Sequence, residues 1–136
     1  MHMEHYVSNV DAVKRVLDFC GIGYSMKNNG ITSFFFCMTS SKQKFNIRVD
    51  SEKFRIWTYL ELGVSGQSWV KLLKVFENVQ QFFPQIRMEL TEDMDVSWFC
   101  DSSFSNNSNE NRVFVLITLA SFISALIMRK NHSFTM

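Results

Sequence analysis

Five carboxylates, Glu89, Glu92, Asp93, Asp95 and Asp101, gather in one short stretch and have the best claim to reaction chemistry. Two carboxyls can divide general acid and base work when their surroundings separate their pKa values. The local pattern argues against that use. Glu92 and Asp93 fall in a turn, and Asp95 and Asp101 fall on the polar phase of a strand, where water keeps carboxylates alike. No glycine-rich phosphate loop, Ser/His/Asp set or Cys/His pair accompanies them.

Cys20, Cys37 and Cys100 are odd in number, far apart and without CxxC spacing. They read as buried free thiols in a reducing compartment rather than a disulfide framework. His2, His5 and His132 lie at the chain ends, where loose geometry activates no nucleophile and closes no metal site. No catalytic residue, metal or cofactor is therefore expected. Fourteen Lys+Arg against 13 Asp+Glu leave a formal net charge of +1, which steers no polyanion and argues against a dedicated nucleic-acid binder. The 46% hydrophobic content rules out disorder in a 136-residue chain long enough for one core.

A second set of residues suits recognition instead. Arg55, Trp57 and Tyr59 share one side of the alternating segment Phe54 to Leu60, while Lys44, Asn46 and Arg48 share the polar side of Lys44 to Val49. Phe99, opposite in phase to Trp98, extends the group. Trp, Tyr and Arg are the residues enriched at interface hot spots. If helices cover only the other face, these side chains form an interaction surface. If the C-terminal helix covers this one, they are core.

The elements that position them follow from period and punctuation. Val10, Val13, Val16 and Leu17 have helical spacing, opened by Ser8 or Asn9 as a cap and closed near Gly21 and Gly23. Asn28-Asn29-Gly30 is a turn, either leading into a strand or closing a hairpin on 23–27. Residues 31–39 predict a strand covered on both faces. Residues 44–49 and 54–60 predict two alternating strands, joined as a meander by short polar turns. Ser68 caps a helix that Pro84 stops near Phe83. Residues 85–90 and 94–101 predict a hairpin, and 102–111 a polar, mobile linker. The order helix, three strands, helix, two strands, helix (α-β-β-β-α-β-β-α) predicts an α+β two-layer sandwich with an antiparallel sheet, a single domain ordered over about residues 9–129.

The last helix, 112–129, contains the uncharged run Val113 to Met128. At 1.5 Å per residue this run falls short of the roughly 30 Å hydrocarbon core, so a buried helix is preferred to a membrane anchor. Ala120 and Ser124, and Ser121 and Ala125, form two rows of small residues that permit close helix approach and hence a dimer contact. Phe34, Phe36, Phe76 and Phe82 could alternatively line a small-molecule pocket between sheet and helices.

This order of elements, together with KFNIRVDSEKFRIWTYLEL and the Trp-bearing helix from Gln67 to Phe83, resembles the fold shared by class I type III secretion chaperones and the YbjN family of bacterial sensory-transduction regulators. The resemblance covers about residues 9–129. It implies a non-enzymatic protein, acting as a homodimer, that works by binding another protein. The reading is a cytoplasmic protein, bacterial or phage-borne, with a regulatory or chaperone-like role. The alternatives are a membrane-associated protein held by its last helix and a binder of small molecules.

Overall fold

Period-two alternation gives the strands of this protein one apolar and one mixed face, and the helices settle which face is buried. The computed structural model describes residues 2–135, with side-chain surroundings for 4–131. The elements are α1 (His2–Phe19), β1 (Gly23–Asn28), β2 (Ser33–Met38), β3 (Lys44–Val49), β4 (Lys53–Glu61), α2 (Gly66–Phe82), β5 (Arg87–Leu90), β6 (Val96–Ser103) and α3 (Ser108–Thr135). All six strands join one antiparallel sheet in the order β1-β2-β3-β4-β6-β5.

The α+β two-layer class holds, with one correction: the first run has four strands, not three. Asn28-Asn29-Gly30 closes a hairpin on β1. The Asn29 side chain accepts hydrogen bonds from the amides of Ile31 and Thr32, and Gly30 turns the chain at φ 91°. A positive φ at that point suits a residue without Cβ.

Phe35 and Cys37 of β2, Phe45, Ile47 and Val49 of β3, and Phe54 and Ile56 of β4 form the buried inner face with Trp98 and Cys100 of β6. A single cluster joins these residues to Val13 and Leu17 of α1, Val75 and Val79 of α2, and Val115, Leu119, Phe122, Ala125 and Leu126 of α3. Helix α3 lies against both α1 and α2. All three helices therefore cover the same side of the sheet. Strand β2 is covered on that side only: Phe36 and Met38 point outward and are exposed, which corrects the expectation of burial on both faces.

Polar residues tie the layers together at points that composition alone reads as loop. Asn9 is no cap but a buried residue inside α1; its Nδ2 donates to the carbonyls of Asp50 (3.0 Å) and Ser51 (3.1 Å), pinning the β3–β4 turn. The hydroxyls of Tyr6 and Ser33 meet at 2.5 Å, docking the start of α1 on β2. Ser65, not Ser68, caps α2, its hydroxyl accepting from the Ser68 amide. The 102–111 segment is likewise ordered. Its first two residues extend β6, the Asn111 side chain bonds both the amide (2.8 Å) and the carbonyl (2.9 Å) of Ser105, and Asn107 accepts from the Glu110 amide. Its Ser and Asn content is helix-start chemistry rather than linker chemistry.

Because α3 is one-sided in its burial, truncation should distinguish its two sides. Phe122→Ala is expected to cost about 3–5 kcal/mol in urea unfolding, whereas Val113→Ala on the exposed side should cost less than about 1 kcal/mol.

Candidate functional site

The outer face of the sheet inherits every side chain that alternation turns away from the helices. Register sets them in rows. Phe34, Arg48, Arg55 and Asp101 are successive partners across β2, β3, β4 and β6. In the next row, Phe36, Asn46, Trp57, Phe99 and Arg87 cross five strands. Tyr59 and Glu89 flank Ser97 in a third. None of the described helices covers these rows. Phe36 is 45% and Tyr59 52% exposed, and Phe34, Trp57 and Phe99 are half-buried. Between them runs an open groove of about 700 Å³ whose lining includes Phe34, Arg48, Lys53, Arg55, Trp57 and Tyr59.

Arg55 is the best-fixed side chain on this face. Its Nε and Nη2 donate to the two carboxylate oxygens of Asp101 at 2.6 and 2.7 Å. Its guanidinium stands 4.4 Å over the Phe99 ring. The fork to Asp101 raises the Arg55 pKa against the opposing effect of burial. A bidentate pair stacked on an aromatic face holds the guanidinium plane in one orientation. Arg48 is held more loosely: its contact with Asp50 is 3.6 Å, and the other Asp50 oxygen accepts from the amides of Glu52 and Lys53.

The structure thus brings together all of Arg55, Trp57, Tyr59, Lys44, Arg48 and Phe99 on one uncovered face. Asp101, read as a solvated carboxylate, belongs with them as the partner of Arg55; its phase, two residues after Phe99, is the signal that was available. Phe34 and Phe36 belong there too. The Phe-lined pocket does not form, because Phe34 and Phe36 point away from the helices. Phe76 packs in the core, its ring 5.7 Å from that of Trp98, and Phe82 is 67% exposed. Three consecutive Phe residues conceal a period of two.

The acidic stretch forms no dyad. Glu92 and Asp93 are exposed in the β5–β6 turn, and Asp95 accepts from the Gly63 amide at 2.9 Å, tying that turn to the loop before α2. Among the described residues no three His, Cys, Asp or Glu side chains gather to hold a metal ion; the His2 and His132 side chains lie outside the described residues.

On the helix layer, the small residues of α3 divide between two sides. Ala125 is 0% exposed inside its own chain, so it offers no surface, and Ser121 is half-buried; Ala120 and Ser124 face outward. With Val113, Ile117 and Ile127 they form a solvent-facing stripe spaced 4-3-4-3, in which Ile117 is 59% exposed. Ser108–Asn131 is long and apolar enough to cross a membrane. Comparison with family models, with curated proteins and with solved structures finds no match.

The thiols differ from expectation at one position: Cys37 and Cys100 are buried on the inner face, whereas Cys20 is exposed after α1. Burial pushes the Cys37 thiol up from its ordinary 9.0 to about 12. A folded pKa above the unfolded one favours the native state below pH 9, and that contribution is lost as pH climbs toward 12. A disulfide reagent at pH 8 should therefore label Cys20 rapidly and Cys37 and Cys100 only on unfolding, with stability falling above pH 9.

Proposed function

We propose that this protein is a non-enzymatic binding module that acts as a homodimer and holds another protein on the outer face of its sheet. The observation that carries the reading is the uncovered face itself. Aromatic and guanidinium side chains occupy aligned positions there, with Arg55 pre-set by Asp101 and Phe99. Rigid anchors lose little conformational entropy on binding, which is why such residues dominate interface energetics. A regulatory or chaperone-like role in the cytoplasm suits a face of this kind. The resemblance to the YbjN and secretion-chaperone fold supports the reading by analogy, with one additional strand here.

The α3 stripe is the proposed seam between the two copies. Strict 4-3 spacing of apolar and small residues is the pattern along which two helices pack knobs into holes, and Ala120 and Ser124 permit close approach. Joining the copies through their helix layers leaves both sheet faces pointing outward, so a dimer carries two binding faces. A membrane-anchor role for α3 is the second reading, favoured by its length and apolar character. It would require withdrawing Val115, Leu119, Phe122, Ala125 and Leu126 from the core, which disfavours it.

Three variants test the proposal. With a photo-crosslinking residue in place of Tyr59, crosslinks to a partner protein are expected in cells. Trp57→Ala should weaken that partner's binding at least about 30-fold with an unchanged melting temperature. Absence of crosslinks, or unfolding of Trp57→Ala, would count against the face. Ile117→Glu should sediment as a folded monomer where the unsubstituted protein is a detergent-free dimer; an unchanged mass would remove α3 as the seam.

A further inference from the structure

We infer that the segment held on the sheet face is an extended peptide bearing a carboxylate two residues from an aromatic side chain, an inference that rests on the binding role proposed above. Charge is segregated in this molecule although the chain as a whole carries only +1. Lys27, Lys44, Arg48, Lys53, Arg55 and Arg87, six of the 14 cationic residues, project from the outer face. Its carboxylates are Glu89 and Asp101 toward β5 and β6, with Asp50 at the end of β3. Two of these three are committed within the protein: Asp101 to the Arg55 fork and Asp50 to the amides of its own turn. The β2–β4 end of the groove keeps a cationic excess beside Phe34, Arg48 and Lys53 standing against the single Asp50 carboxylate, which lies 3.6 Å from Arg48.

The spacing of the rows sets the spacing of the ligand. Side chains on one face of a strand recur every second residue, about 6.6–6.8 Å apart. The Arg48–Arg55 row and the Asn46–Trp57 row are separated by that single step along β3 and β4. A peptide lying extended along these strands also presents every second residue to the sheet at the same interval. A carboxylate at one position meets Arg48, with Lys53 one step beyond, while the residue two further on meets Trp57 and Phe36, with Tyr59 one step beyond. Complementary charge fixes the register of the peptide and the aromatic contact supplies the buried area.

A single-stranded nucleic acid fits the same face less well. Its unbroken run of phosphates would cross Glu89, whose charge lines the groove, whereas a peptide places its carboxylates only where cations stand.

The test uses the full-length protein and a blocked peptide repeating Asp-Ser-Phe-Ser, with a Lys-for-Asp version and a single-stranded RNA of matched length as controls. Binding is read from backbone amide shifts. The Asp peptide should shift the amides of 34–36, 46–48 and 55–59, and the Lys peptide should bind at least about tenfold more weakly. The doubly substituted Arg48→Glu, Lys53→Glu protein, both sites being exposed, should keep its melting temperature and prefer the Lys peptide. Equal binding of both peptides with no effect of the double substitution would overturn the acidic specificity. The binding role would stand in that case if Trp57→Ala still removed the shifts. Tighter binding of the RNA would overturn the peptide assignment. No shift with any probe at millimolar concentration would overturn both.

Discussion

Burial of one face of the sheet, and only one, is the constraint from which the rest of the structure follows. Three helices share a single side, meeting the sheet through Phe122, Leu119 and Leu126 of α3, Val79 of α2 and Leu17 of α1. An antiparallel sheet tolerates water on its second face if that face can be solvated. Here it is solvated in an unusual way, because the outward rows carry Phe34, Phe36, Trp57, Tyr59 and Phe99 among the charges. Exposed apolar surface organised in rows is characteristic of an interaction site rather than of incidental exposure.

The same constraint explains the internal order of the face. Without a covering layer to fix them, Arg55 and Phe99 fix each other, and Asp101 supplies the carboxylate that keeps the guanidinium in plane. An exposed ion pair contributes only about 0–1 kcal/mol to folding, so its value here is orientation rather than stability. The folding energy comes from the opposite side. There the polar ties, Asn9 to the β3–β4 turn and Tyr6 to Ser33, settle where the helix layer sits over the inner rows.

Most of the sheet was legible in the sequence, because β3 and β4 alternate, the hairpin turns are polar, and β6 follows a tight turn that pairs it back on β5. Strand β1 was left open between two possibilities, since GYSMKN has little β-branched or aromatic density to separate a strand from a loop. The early start of α1 was hidden by the largely polar run before Val10, from which Tyr6 is the one core hydrophobic among the described residues. Phe34 and Phe36 were misplaced because an unbroken apolar run carries no phase. The residues of the face could be read from alternation, but the side the helices would choose could not. Amphipathicity says that a helix buries one face without saying against which side of a sheet, and α3, apolar all round, gives no direction at all. The ordered 105–111 segment was missed because Ser and Asn favour caps and flexible loops alike, and only a tertiary partner such as Asn111 tells them apart.

The one-sided sheet also gives the molecule two separate surfaces, an aromatic and cationic face and an apolar stripe on α3, on opposite sides of one core. In the proposed reading, that separation lets assembly and partner binding proceed independently. The measurement that tests it most directly is hydroxyl-radical footprinting of the dilute protein, read by mass spectrometry within β2 and β3. Phe36 and Met38 are expected to be modified, while Phe35 and Phe45, fully buried beneath the helices, should remain unmodified. Protection of Phe36 and Met38 equal to that of Phe35 would mean that something in the chain covers the outer face, and would contradict the account.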